Sequence, residues 1–336
     1  MSMWSGFIDM QKEADPTFSI ILPTFNGEQF IKSALDSIEQ QNFNDYELII
    51  SDDYSDDATL DIISQHSVEP DILISQDYNV GIAQNLNDAV DTSDGRYLAF
   101  LDQDDEWGEG KLLEHKRRHE KECADVVYSD LKGIDSSGKR IRDIPLPDSE
   151  PSGDQLIQQL LLSHNFIRSM TNATVRKSCW ERLGGFDKLL QLAGDYDFWL
   201  RAAEIAEFEH IESALAKKRT HDSNFSSNHH LEYNEVLYIA QKMSIYYPGV
   251  SSEYITQVCR RQNFRRAWGL YQEEKERQVI EYILRTFGYN TSLPDEIGLR
   301  PHLLLILSAL DMVTGDLSLG RKILALRDNF SDWYRG

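Results

Sequence analysis

The fold class predicted by this 336-residue chain is α/β: a mostly parallel sheet with flanking helices, followed by a separate all-helical C-terminal region. Three observations predict it. Short apolar runs alternate with helical periodicity between residues 18 and 101, each run ends in polar or acidic residues, and from about Leu231 the pattern is helix after helix.

Residues 18–22 form an apolar run of strand length. Pro23, Thr24, Phe25, Asn26 and Gly27 then supply turn chemistry, and Ile31, Leu35 and Ile38 recur at helical spacing. Residues 46–50 repeat the strand and end at Ser51, Asp52 and Asp53, with a helix at 59–63 behind them. A third strand at 72–74 precedes Asn79, Val80 and Gly81 and a helix at 82–90; a fourth strand occupies 97–101. This alternation implies right-handed crossovers, which bring strand ends to one rim. Thr24, Asp52, Asp53 and the acidic run 102–105 are therefore expected to line one crevice. Past Asp125, shorter strands are expected at 126–129 and 169–175. The Ser-, Pro- and Gly-rich loop between them, around 145–153, reads as a cover over the site. Helices expected at 231–246, 252–272 and 277–286 complete a division into an extension (1–16), an α/β domain (17–222) and a helical domain (223–336).

The composition, with 41% hydrophobic and 27% charged residues, is that of a globular protein. A formal net charge of -22 argues against a nucleic-acid partner. Three scattered cysteines, Cys123, Cys179 and Cys259, match neither a disulfide framework nor a zinc spacing and point to a reducing compartment. No secretory signal is read at the N-terminus, and the apolar stretch 303–307 is too short to span a bilayer, so the expected location is cytoplasmic. A basic stretch around Arg260, Arg261, Arg265 and Arg266, interleaved with Phe264 and Trp268, reads as a solvated helix face or as peripheral contact with the inner face of a membrane.

The chemistry concentrates in Leu101-Asp102-Gln103-Asp104-Asp105-Glu106-Trp107. An EF-hand needs Gly at its sixth position and Glu at its twelfth; counted from Asp102, these are Trp107 and Leu113, and that reading fails. A solvated acidic turn is the plain alternative. Carboxylates following a buried strand suit a hard divalent ion, which would in turn hold phosphates.

In order, the motifs are Ile-Ile-Leu-Pro-Thr-Phe-Asn (20–26), Ser-Asp-Asp-x-Ser-Asp (51–56), Asn-x-Gly (79–81), Leu-Asp-x-Asp-Asp-x-Trp (101–107), and Gly184-Gly185-Phe186-Asp187 followed by Asp195-Tyr196-Asp197-Phe198-Trp199. Over residues 17–222 this series resembles the family 2 glycosyltransferases, whose fold is GT-A. The resemblance implies a metal-dependent, inverting transfer of a sugar from a nucleotide diphosphate, with UDP favoured, to a saccharide or lipid-linked hydroxyl in cell-surface or secreted polysaccharide synthesis.

It also implies residue roles. Thr24 and Asp52 or Asp53 would sit against the base with Pro23, Phe25 and Asn26 nearby, and Asn79, Gly81 and Gln103 belong to the same donor-binding set. Asp102 would face the ribose. Asp104 would bind manganese or magnesium with His221 as a further ligand, imidazole favouring manganese over calcium. Asp105 and Arg219 are further candidates, Arg219 as a phosphate partner. Asp195 would be the catalytic base, although Gly194 stands where the family has Glu; a helix N-cap is the competing role for Asp195, and Asp197 reads as structural. That missing acid keeps open a non-catalytic nucleotide-sugar-binding or assembly module. The missing glycine-rich phosphate loop argues against a sugar nucleotidyltransferase.

Overall fold

The four apolar runs become four parallel strands, β1 (Phe18–Thr24), β2 (Tyr46–Asp52), β3 (Ile72–Ser75) and β4 (Tyr97–Phe100), in the order β3-β2-β1-β4. The computed structural model describes residues 15–144, 167–221 and 229–247, with isolated positions between 157 and 262. Helices α1 (Ile31–Glu39), α2 (Thr59–Ser64) and α3 (Ile82–Asp91) connect these strands. β1 and β4 are buried throughout, as expected of central strands read as continuous apolar runs, whereas β3 at the edge alternates. One face of β1 (Phe18, Ile20, Leu22) packs with Ile31, Leu35 and Ile38 of α1 and with Tyr97, Ala99 and Leu101. Burial of each large apolar side chain contributes about 1.5–3 kcal/mol.

Beyond β4 the sheet is mixed. β8 (Ala173–Arg176) runs antiparallel between β4 and β6 (Val126–Ile134), and β9 (Phe208–Arg219) lies parallel to β6. The short β5 (Glu106–Trp107) and β7 (Arg140–Ile144) pair antiparallel to β9 and β6. Two expectations are corrected here. The strand expected at 169–175 begins only at Ala173, because Ser169 Oγ accepts from Thr171 N (3.2 Å) and winds Met170–Asn172 into a 3-10 turn. The strand expected at 126–129 continues to Ile134, since β9 supplies a partner as far as the Ile134–Arg219 pair.

Helix α4 (Lys111–Lys121) was not legible as an amphipathic helix, because its buried stripe contains Lys111, His115 and His119 beside Leu112. These groups form a directed chain. His119 Nδ1 donates to Ala124 O (2.9 Å), leaving Nε2 to accept from the Thr174 hydroxyl (2.8 Å). Thr174 Oγ1 accepts from His115 Nδ1 (2.9 Å), and His115 Nε2 accepts from Lys111 Nζ (3.2 Å). This assignment gives every partner one role and leaves both imidazoles neutral.

The chain continues through α5 (Lys177–Leu183), α6 (Gly194–Ile205) and, after β9, α7 (His229–Tyr246). The described residues fall into two compact units. The first holds 15–144 and 167–221; the second holds Ile157, Leu160 and the positions from 229 on. In the second, α7 buries Val236, Ile239, Ala240 and Met243. The expected cover at 145–153, the arginines Arg260, Arg261, Arg265 and Arg266 and most of the helices expected at 252–272 and 277–286 lie outside the described residues. Among the described residues no helix is long and apolar enough to cross a membrane.

Burial pushes His119 down to about 3, helped by the charges of Arg176, Lys111 and Arg96 and opposed by its bond to Ala124 O. Below about pH 6.5 the unfolded chain takes up a proton at His119 that the folded chain refuses, so stability falls with pH, by up to about 2 kcal/mol from this group between pH 6.5 and 5. His119→Gln cannot titrate. Its melting temperature is expected to fall less over that interval than that of the unchanged protein, and equal falls would show that His119 is not held neutral.

Candidate functional site

In the order β3-β2-β1-β4, β1 lies between β2 and β4, so the connections leaving β1 and β4 part at their C-terminal ends and open a crevice. Gln103 ties the two lips of this crevice together. Its Oε1 accepts from Phe25 N (2.9 Å) and its Nε2 donates to Phe25 O (2.9 Å), a two-bond clamp across the switch point. Gly27 makes room for the clamp, because a Cβ there would lie 2.2 Å from Gln103 Oε1.

On the β2 side, the expected base-contacting acids are held by the protein. Asp52 is fully buried, and its carboxylate accepts from Thr24 Oγ1 (2.9 Å), Ser55 Oγ (2.6 Å) and Ser55 N (2.9 Å). Asp53 accepts from Val80 N (2.6 Å) and Gly81 N (3.0 Å), while Asn79 Nδ2 donates to Asp53 O (3.3 Å). Asn79 and Gly81 thus build the cage around Asp53, and Gly81 adopts φ 85, a backbone conformation that side chains disfavour. Burial raises the Asp53 pKa, against the pull of those two N–H groups. Pro23 lies inside β1, buried and opposite Ser51, rather than in a turn, because pairing with β2 runs on to Thr24. Thr24 is only 2% exposed. Phe25 and Asn26 stay at the surface, joined at the rim by the exposed rings of Tyr54 and Tyr78.

At the end of β4 the acidic run separates into different tasks. Asp102 N donates to Thr171 Oγ1 (3.0 Å), and Asp102 Oδ2 accepts from Ser169 Oγ (3.0 Å). Asp105 is buried and accepts from Arg219 N (2.9 Å). Burial first, and the neighbouring Asp104 charge second, raise the carboxyls of Asp102 and Asp105 above the ordinary range, Asp105 strongly. Asp104 turns the other way, with its Oδ2 2.9 Å from His221 Nε2. The structure therefore brings together the pair expected to hold a metal, from positions 117 residues apart in sequence. His221 is also packed against the ring of Phe30, centroids 4.6 Å apart.

Arg219 does not match its expected role as a phosphate partner. It is 3% exposed, its guanidinium donates to Asp104 O (2.8 Å), Asp135 O (3.1 Å) and Glu106 Oε1 (2.6 Å), and it lies over the Phe30 ring. These contacts commit it to joining β9, β5 and the acidic loop. Ser169 and Thr171, the clamps on Asp102, were missed because their segment reads as a strand; hydroxyl residues two apart that can bond the local backbone are the signal that was available.

Asp195 lies in the first turn of α6, half-buried, and its Oδ1 accepts from Tyr196 N (2.7 Å). The N-cap is Ala193, two residues earlier, so Asp195 lies inside the helix and is not the cap itself. The positive helix end still favours a carboxylate there. Asp197 is buried and holds Arg201 Nε (2.8 Å). That arginine also donates to Leu183 O (2.7 Å) and Gly185 O (2.8 Å), fixing the turn at Gly184 and Gly185, both at positive φ.

Elsewhere, Asp36, Glu39 and His66 lie within reach of one ion. His66 Nδ1, however, accepts from Val68 N (3.0 Å), which leaves the ring proton on Nε2, facing Asp36 (3.0 Å). That arrangement is a hydrogen bond from a neutral imidazole to a carboxylate, with no imidazole lone pair left for an ion.

A sheet with a parallel half, a mixed half and an acidic loop at the switch point is the GT-A fold of its structural neighbours, and residues 19–184 match the profile described as Glycosyl transferase family 2. The chain belongs to the family 2 glycosyltransferases. It is 30% identical over 199 residues to a poly(ribitol-phosphate) beta-glucosyltransferase of Bacillus spizizenii, covering 54% of this chain and 31% of that one. Among solved structures, S. aureus TarS 1-349 in complex with UDP-GlcNAc matches with a TM-score of 0.62 at 19% identity, covering 92% of each chain. The mannosyltransferase PcManGT from Pyrobaculum calidifontis, in complex with GDP-Man and Mn2+, matches with a TM-score of 0.53 at 15% identity, covering 93% of this chain and 86% of that one.

Because Arg219 is buried with its charge matched inside the protein, Arg219→Ala is expected to destabilise the fold by about 2–3 kcal/mol, since Asp104 O and Asp135 O lose their donor and Glu106 keeps only Lys217. Chemical denaturation measures this directly. A variant of unchanged stability would return Arg219 to the ligand-contacting residues.

Proposed function

We propose that the chain is a metal-dependent, inverting glycosyltransferase that takes a sugar from a UDP-linked donor and passes it to a hydroxyl of a saccharide or lipid-linked acceptor in cell-surface or secreted polysaccharide synthesis. The observation that carries this reading is the Asp104–His221 pair, 2.9 Å apart at the C-terminal edge of the sheet. The donor set fits a divalent ion. One carboxylate oxygen and one imidazole nitrogen meet at a separation that two neighbouring ligands at about 2.1 Å from an ion also span, and two further carboxyls stand behind them. Manganese or magnesium suits this set, and the Mn2+ of the PcManGT complex supports it. The donor assignment is supported by the UDP-GlcNAc of the TarS complex, and the acceptor class by the polymer named for the Bacillus relative.

When bound, such an ion neutralises the charge that grows on a departing nucleoside diphosphate. The chain's own residues do the rest. Asp104 and His221 would hold the ion, with Asp102, pinned by Ser169 and Thr171, facing the ribose. Phe25 and Asn26 present an exposed surface to the base, while Asp52 and Asp53 act through the loops they hold rather than by free carboxylates. Asp195 would accept the proton of the attacking hydroxyl as the new glycosidic bond forms on the face opposite the leaving group. The division at about residue 222 would separate this catalytic domain from a helical one, and a peripheral position at the inner face of a membrane follows from a lipid-linked acceptor.

Incubation with manganese and a panel of nucleotide sugars, followed by assay of free nucleoside diphosphate, tests the reading. Slow release from a UDP-sugar is expected, lost by about 100-fold or more in Asp104→Ala. Release that persists undiminished in a chelator contradicts the metal, and binding without any release favours a module that has lost turnover. Asp195→Asn is expected to lower turnover by about 100-fold or more while donor affinity changes less than about twofold. Retained turnover removes Asp195 from the mechanism.

A further inference from the structure

The cation next to Arg219 has a different fate. Lys218 is half-buried at the end of β9, where it pairs with Gly133 of β6. Its Nζ donates to Arg168 O (2.9 Å), and an ammonium carries three N–H groups. Among the described residues no second acceptor is found for it. Both of its backbone surroundings lead to the acidic loop. Arg168, which it holds, precedes Ser169, the donor to Asp102 Oδ2 (3.0 Å), and the residue after it gives its N–H to Asp105 Oδ1 (2.9 Å). The Lys218 charge opposes the upward push on both carboxyls.

One divalent ion does not balance three neighbouring aspartates together with a diphosphate, so the site needs a further positive charge on the ligand side. We propose that Lys218 is that charge: a donor-binding residue that gives its remaining N–H groups to the distal phosphate of the nucleoside diphosphate and stays with it as the leaving group departs. The proposal rests on the donor-site reading above. It transfers to Lys218 the phosphate contact that the buried, committed Arg219 cannot make.

The test is calorimetric titration of the full chain, in manganese, with matched pairs: UDP and UMP, TDP and TMP, GDP and GMP. The unchanged protein is expected to bind one diphosphate more tightly than its monophosphate. Lys218→Met should weaken that diphosphate by about tenfold, the equivalent of about 1.4 kcal/mol, and the monophosphate by less than about twofold. Lys218→Arg, which keeps the charge and the bond to Arg168, should retain the preference. Equal losses on both members of the pair would mean that Lys218 only supports the Arg168 segment, and no loss would mean that it contacts nothing; either overturns the proposal. An unchanged protein that binds a diphosphate no better than its monophosphate also overturns it. If the unchanged protein binds no nucleotide at all, the donor-site reading itself fails, and the proposal with it.

Discussion

Three carboxyls follow a buried strand within four residues, and everything around them answers their mutual repulsion. Left alone, Asp102, Asp104 and Asp105 would splay apart or take up protons. The protein instead ties two of them back, Asp102 to a hydroxyl and Asp105 to a backbone N–H, and turns the third toward an imidazole. The elements that do this are the 3-10 turn Met170–Asn172 and the end of β9, both far along the chain from the acidic loop. Arg219, lying over Phe30 and bonded to Glu106 and Asp104 O, is the pin that joins these parts.

The balance is incomplete by construction. Burial and like charge raise Asp102 and Asp105, so their ionised forms are less favourable than in water, and a cation beside Asp104 would relieve both. On the proposed function, a site of this kind would grip a diphosphate once a cation arrives, and would hold it as it leaves its sugar. Family membership and a GT-A fold agree with this physical reading, and the substrate assignments rest on it.

The first half of the sheet was legible because buried parallel strands are written as apolar runs; β1 to β4 differ from expectation by at most two residues at either end. Helix α4 was not, since its inward stripe is Lys111, His115 and His119, side chains that hydropathy counts as solvent-facing. Only the hydrogen-bond chain through Thr174 makes their burial tolerable, and that partner lies 59 residues from His115. In the site, residue types were legible and directions were not. Asp52 and Asp53 read as ligand contacts because nothing in a sequence shows that Ser55, Val80 and Gly81 will satisfy them. Successive side chains on a strand face opposite ways, and with Lys217, Lys218 and Arg219 in a row the sequence does not say which cation faces inward. Arg219 proved to be the buried one.

The most direct measurement of the central claim is anomalous diffraction from crystals grown with manganese and a nucleoside diphosphate. The account predicts a manganese peak bonded to Asp104 and His221 at about 2.0–2.3 Å, with the diphosphate completing its coordination. A manganese ion bound elsewhere, or a diphosphate seated away from Asp104, would contradict it.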